Sequence, residues 1–311
     1  MARKWSRYPK RTFYAFVSPW AVGFLLLTAA PMVYGFIVSL TNFDGSSPKF
    51  KWVGLRNYVE LLSDGDMWAA LVRTLAFTAI VVPLTVGGSL GLAVLINRRL
   101  RAVGLWRTVF YLPSVVPVVA MAIMWKLVFN KDSGILNAII GIVGVDPIGW
   151  LVDPVVFYSL IIVMSWGLGG GMLIMLAALQ GVPVELEEAA TVDGANRWTV
   201  FRHVTIPMIS PILFFQVVTG VIGALQVFIQ PLLLTNAAGI SAVGGVPDST
   251  TLFMVQVYQE FFLSNRFGYG SAMLWVFFIV ILGFTLLIMR SSRFWVYYEV
   301  DIEAEREGAK G

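Results

Sequence analysis

The chain has 311 residues, 58% of them hydrophobic and only 13% charged, with a formal net charge of +4. Soluble domains are nearer half apolar and a quarter charged, so a mean hydropathy of +0.80 excludes a soluble fold and requires an integral membrane protein. Cysteine is absent and histidine occurs once, which excludes disulfides, thiolate metal sites, zinc-hydrolase ligand sets and Cys–His nucleophiles.

Six apolar runs are long enough to cross roughly 30 Å of hydrocarbon, which takes about 20 helical residues. They cover 13–40, 68–96, 108–129, 155–180, 211–234 and 268–290. Strands open to lipid would leave backbone groups unpaired, so the expected fold is an all-α integral membrane protein with six transmembrane helices. Residues 1–12 form a leading segment, 13–290 the membrane domain and 291–311 a tail. The first run continues past Pro31 to Leu40, longer than a signal-peptide core, and is read as a retained span.

Lysine and arginine orient the bundle. Residues before the first run, between the second and third, between the fourth and fifth, and after the sixth hold fifteen of the 22 basic side chains, against five in the other loops. The positive-inside rule then places both termini in the cytoplasm. It also explains the net charge without a nucleic-acid partner. The remaining two, Arg73 and Lys126, lie near the outer ends of their runs, where they can snorkel to the interface.

No aspartate or glutamate interrupts the six runs. Proton-driven carriers need an intramembrane carboxylate relay, so this counts against a secondary transporter, although sodium coupling through carbonyls stays open. The stretch GLGGGM at 167–172 fails the G-x-G-x-x-G spacing and is read as small-residue helix packing. No G-x-x-x-x-G-K-[ST] loop is present to cradle phosphates, and no catalytic or metal-ligating set is expected.

The segment between the fourth and fifth runs is polar and divides into two helical patterns. Pro183 suits a first helical turn, and Glu185, Glu187 and Glu188 favour the positive end of a helix dipole. Leu186, Ala189 and Ala190 make a narrow apolar edge. Asp193 and Gly194 break the pattern, with glycine able to take a left-handed cap. Asn196 can cap a second helix whose Trp198, Phe201 and Thr205 share a face. Pro207 and Pro211 then punctuate the entry into the fifth run. An amphipathic helix on the inner leaflet would carry basic residues; these glutamates point instead to a protein partner with a basic groove. His203 is read as a surface or capping residue.

The order Glu188-Ala189-Ala190, three residues, Gly194, nine residues, Val204, one residue, Ile206-Pro207 resembles the EAA loop of ABC importer permeases. Val204 and Ile206 stand where the family has isoleucine and leucine. "WVGLRNYVELL" (52–62), "LWRTVFYLPSVVPVV" (105–119), "GILN" (134–137) and "FGYGSAMLWVFF" (267–278) resemble the carbohydrate-uptake branch of maltose-, multiple-sugar- and glycerol-3-phosphate-type importers, in particular its first permease.

The resemblance implies a type I importer permease fold in a bacterial or archaeal plasma membrane. It also implies a second permease, two ATPase subunits that carry ATP and Mg, and an extracytoplasmic solute-binding protein. The coupling residues it implies are Glu188, Ala189, Ala190, Asp193, Gly194, Val204, Ile206 and Pro207, seated in a cleft of the ATPase.

In the fifth run Gln216, Thr219, Gly223, Gln226 and Gln230 recur at steps of three and four, as one helical face would. Such amides either hydrogen-bond neighbouring helices or line a solute pathway, where they would bond sugar hydroxyls. Trp166, beside Ser165, is the expected aromatic platform, with Trp275 a second. A phosphorylated solute would call for arginine or lysine at mid-membrane, and none lies there, so a neutral di- or oligosaccharide is favoured. A glycerol-3-phosphate or polyol permease and an ion-coupled carrier stay as alternatives. The Gly-, Ser- and Thr-rich stretch 235–253 is long for a plain loop and, by resemblance, faces the solute-binding protein. The acidic stretch 299–307 is expected to be solvated or disordered.

Overall fold

The computed structural model describes residues 10–47, 50–98, 101–235 and 246–297. It is mostly helical, and among these residues the only β-type pairing is one antiparallel bridge between Thr41 and Trp52. The helices in chain order are α1 (Arg11–Ser39), α2 (Arg56–Ser63), α3 (Gly65–Ile96), α4 (Val103–Val115), α5 (Val118–Val128), α6 (Ile135–Ile142) and α7 (Val155–Ser165). Then follow α8 (Gly169–Gln180), α9 (Val184–Val192), α10 (Arg197–Leu225), α11 (Ile229–Thr235), α12 (Phe253–Phe262) and α13 (Phe267–Ser292).

Four helices, α1, α3, α10 and α13, are each long and apolar enough to cross a membrane. The third and fourth expected spans are bent pairs: α4 and α5 meet at 99°, α7 and α8 at 45°. Six spans result when each pair counts as one. The first bend falls where Val116 is extended ahead of Pro117, the conformation a following proline favours.

The fifth span is displaced from its expected bounds. It begins at Arg197 rather than 211 and ends at Leu225 rather than 234, because Pro207 and Pro211 do not break it. A π turn, Phe201–Thr205, lets the Ile206 N–H reach back to Phe201 O just before Pro207. The turn Leu25–Ala29 does the same for Ala30 ahead of Pro31 in α1. The wider turn re-pairs carbonyls where a proline supplies no donor. At Pro211 the repair is a side chain. Ser210 Oγ donates to Pro207 O at 2.6 Å, the carbonyl that an amide at position 211 would otherwise meet. Ser210 Oγ in turn accepts the Tyr297 N–H at 2.8 Å.

The chain divides into two units, one of Met1–Gly65 with Val257–Ile279 and one of Asp66–Gln256 with Val280–Gly311. In the first, α2 is fastened to the end of α1. Asn57 Nδ2 donates to Ser39 O and Thr41 O, both at 2.8 Å, and the Tyr58 hydroxyl lies 2.7 Å from Ser39 Oγ. A methyl on Gly268 would sit 2.0 Å from Thr41 O, so the first turn of α13 touches that loop only as glycine. Arg266 pairs with Glu60 and Glu260 and lies 4.1 Å over the Tyr269 ring, while the Tyr269 hydroxyl donates to Asp64. Burial pushes the Glu260 carboxyl above its ordinary value, against the opposing pull of Arg266.

The second unit is built on Ala93 and Ile96 of α3, Met172, Met175, Leu176 and Leu179 of α8, and Ile209 of α10. Helix α8 packs against both α4 and α10. A methyl on Gly169 would lie 2.0 Å from Phe110 O, so α4 and α8 approach backbone to backbone, as read from the glycine run. Of the 235–253 stretch, 236–245 lies outside the described residues. Its end is held in place: Thr74 Oγ1 accepts the Phe253 N–H at 2.8 Å, Arg73 Nη1 donates to Thr251 O at 3.4 Å, and Ser249 bonds Asp153 through its hydroxyl. The acidic stretch 299–307 likewise lies outside the described residues.

Candidate functional site

The polar segment 183–207 folds as an elbow. Helix α9 ends at Val192 and is closed by Gly194, whose φ is 87°. The Ala195 N–H bonds Ala190 O and the Gly194 N–H bonds Thr191 O, both at 3.0 Å, a pairing that closes a helix C-terminus around a left-handed glycine. Asn196 Oδ1 then accepts the Thr199 N–H at 2.9 Å and starts α10. The second arm is therefore not a separate short helix but the first turns of the fifth span.

The elbow's acids play different parts. Glu187 is half-buried and turned inward, accepting the Thr205 hydroxyl at 3.0 Å, which ties α9 to the π turn. Glu185, Glu188 and Asp193 are exposed, beside exposed Val184, Leu186, Val192 and Trp198. Ala189 is exposed and Ala190 half-buried. Val204, Ile206 and Pro207 are half-buried, and Ile206 packs against the Met172–Met175–Ile209 core. The first half of the motif faces outward; the second is seated in the bundle. His203 is exposed, with Nδ1 3.1 Å from Thr199 O.

Between the elbow and the ends of α3 and α8 lies a cleft of about 870 Å3. Trp198, Phe201 and Thr205, the face expected from sequence, line it together with Asn97, Arg98 and Glu187.

The expected polar stripe is only partly one face. Helix α10 stops at Leu225, Gln226 follows its end, and Gln230 belongs to α11. Gln216 is buried and donates from Nε2 to Gly171 O at 2.8 Å, so one of the stripe's amides is a helix–helix bond. Thr219, Gly223 and Gln226 are exposed. Gln216 and Thr219 line a groove of about 300 Å3 with Thr85, Ser89, Phe215 and Gly171. The hydroxyls there donate to backbone carbonyls, Thr219 to Phe215 O, Ser89 to Leu168 O and Thr85 to Val81 O. Their remaining lone pairs make the groove rich in acceptors, and among the described residues no charged side chain lines it.

Ser165 and Trp166 are placed elsewhere. They line a different, mainly apolar cleft with Phe110 and Pro113; Leu168 is common to both spaces. Trp166 packs edge-on to Trp125, and Ser165 Oγ donates to Ile161 O at 2.8 Å. Trp275 packs against Phe36 and Phe278. The aromatic side chain in the polar groove is Phe215, which sequence reasoning missed. Its position one residue before Gln216 and four before Thr219 was the available signal, as was the i, i+4 pair Thr85 and Ser89 in the second span.

Comparison with known proteins places this architecture. Residues 84–296 match the model of the binding-protein-dependent transport system inner membrane component. A probable ABC transporter permease of Bacillus subtilis, YesP, is 38% identical over 291 residues, covering 92% of each chain. The trehalose/maltose transport system permease MalF of Thermococcus litoralis is 31% identical, covering 90% of this chain and 93% of its own. The lactose permease LacF of Rhizobium radiobacter is 32% identical over 92% of this chain and 96% of its own. Among solved structures, a bacterial ABC transporter that imports the acidic polysaccharide alginate superposes with a TM-score of 0.73 at 22% identity, over 91% of this chain and 95% of that one; it shows the shared fold. The chain thus belongs to the family of binding-protein-dependent transport system inner membrane components, as a multi-pass ABC importer permease of the branch that includes named sugar permeases.

Proposed function

We propose that this chain forms part of the translocation pathway of an ATP-driven importer for a neutral di- or oligosaccharide, and that residues 183–207 take up force from a separate ATPase subunit. One observation carries the reading: a single helix, α10, lines both sites. Its first turns supply Trp198, Phe201 and Thr205 to the elbow cleft, and its middle supplies Phe215, Gln216 and Thr219 to the groove. Displacement of the elbow is passed along α10 to the groove. Glu188 and Asp193, exposed beside apolar side chains, suit a partner with a basic-rimmed apolar cleft. Val204, Ile206 and Pro207 anchor the element in the bundle, while Ala189, Ala190 and Gly194 allow close approach of the partner.

ATP and Mg belong to two ATPase subunits, not to this chain. A second, homologous permease completes the pathway, and an extracytoplasmic solute-binding protein delivers the sugar. The assembly resides in a bacterial or archaeal plasma membrane. The named maltose and lactose relatives support carbohydrate as the solute class. The uncharged, acceptor-rich groove favours a neutral polyhydroxylated solute over glycerol-3-phosphate, whose phosphate would call for arginine or lysine. Gln226 and Gln230 contribute to the pathway beyond the groove, and Trp166 with Ser165 borders it.

Two variants test the coupling. Glu188→Lys reverses the charge offered to the partner, and Gly194→Pro replaces a φ of 87° with proline's fixed value near −65°. Both are expected to reach the membrane at normal levels, to lose uptake, and to lose stimulation of ATP hydrolysis by the sugar-loaded binding protein. Normal uptake by both variants at normal expression would refute the coupling role.

A further inference from the structure

Helix α2 (Arg56–Ser63) and the residue before it carry three parallel strips, each turned by about 100° from the last. Asn57 and Leu61 face inward, 8% and 1% exposed. Arg56, Glu60 and Ser63 form an exposed polar strip. Leu55, Val59 and Leu62, spaced i, i+4, i+7, form an apolar strip that is 66%, 65% and 68% exposed. Phe50 and Trp52, just ahead of the helix, are exposed as well. Scattered apolar side chains on a surface need no explanation, but a periodic strip beside two exposed aromatics marks a binding face.

The position of the helix says what it binds. Asn57 and Tyr58 fasten α2 to the last turn of α1, and Asp64 joins it to the first turn of α13. It is thus held at the level where two membrane spans end. The apolar window of α1 is only 6% buried, so the span to which α2 is fastened is itself an exposed apolar surface. An apolar strip next to a polar one is the pattern of helices that lie in a membrane surface, and tryptophan concentrates at that depth.

We propose that α2 lies in the headgroup layer of the extracytoplasmic leaflet, with Leu55, Val59 and Leu62 among the acyl chains. In that place it fixes the depth at which the first and sixth spans leave the membrane. The inference rests on membrane embedding alone, not on the coupling or sugar readings.

The chain has no cysteine, so each single-cysteine variant carries one labelling site within this chain, and the parent assembly treated with the same label gives the background. Val59→Cys, Leu62→Cys and Ser63→Cys would be placed in the assembled transporter, in nanodiscs of phosphatidylethanolamine and phosphatidylglycerol. All three sites are exposed, and Val59 and Leu62 serve as independent reporters of one strip. The expected result is a higher ratio of oxygen to nickel-chelate accessibility at Val59 and Leu62 than at Ser63. Greater nickel-chelate than oxygen access at both apolar sites would place the strip in water and overturn the proposal. Shielding of both sites from both reagents would place a protein chain over the strip, and would overturn it equally.

Discussion

Gln216 bonds across helices and also lines the groove, so its replacement has two effects that Thr219 separates. Gln216→Leu removes the donor to Gly171 O, a half-buried bond between helices, and a hydrogen bond of this kind contributes about 0.5–1.5 kcal/mol. It should lower the thermal unfolding temperature of the purified chain and reduce uptake. Thr219 is exposed in the groove and donates only to its own helix. Thr219→Val should leave stability near that of the parent while raising KM for uptake roughly five-fold, the equivalent of one hydrogen bond of about 1 kcal/mol. Equal loss of stability in both variants would assign the groove to packing alone. Gly171→Ala belongs with them. Its methyl would lie 2.6 Å from Ser89 Oγ and 2.9 Å from Gln216 Oε1, and overpacking of this kind costs about 1–3 kcal/mol. A variant that unfolds like the parent would show that these neighbours give way freely.

The elements show which parts of the fold were legible and which were not. Hydropathy located α1, α3 and α13 to within a few residues, because uninterrupted apolar length is what a span requires. The glycine turn at Gly194 and the cap at Asn196 were legible because they depend on local chemistry alone. Prolines misled. Pro207 and Pro211 read as breaks, yet a π turn and the Ser210 hydroxyl replace the donors they lack, and α10 runs through. The stripe of amides read as one face for the opposite reason: nothing in the apolar sequence after Leu225 announces that α10 ends there. Ser210→Ala tests the repair. It leaves Pro207 O without this hydroxyl donor and the Tyr297 N–H without its acceptor, and should destabilise the chain by about 1–3 kcal/mol, read from thermal unfolding in detergent. An unchanged unfolding temperature would mean that α10 does not need the hydroxyl to pass its prolines.

At the scale of the whole molecule, one helix, α10, lines both the elbow cleft and the polar groove, and the sequence has no G-x-x-x-x-G-K-[ST] loop. On the proposed reading, the energy for transport enters through another chain. The family was legible in the spacing of Glu188, Ala189, Ala190, Gly194 and Pro207. The inward turn of Glu187 onto Thr205 was not, because it depends on the approach of α9 to a π turn that no local pattern reveals. The most direct measurement is affinity purification of the chain from its native membrane in mild detergent, beside the Glu188→Lys variant, with the accompanying proteins identified. The expected result is recovery of a second permease, an ATPase and a solute-binding protein with the parent chain, and selective loss of the ATPase with the variant. Recovery of the parent chain alone, from membranes in which it transports, would contradict an energy source in trans and point to an ion gradient.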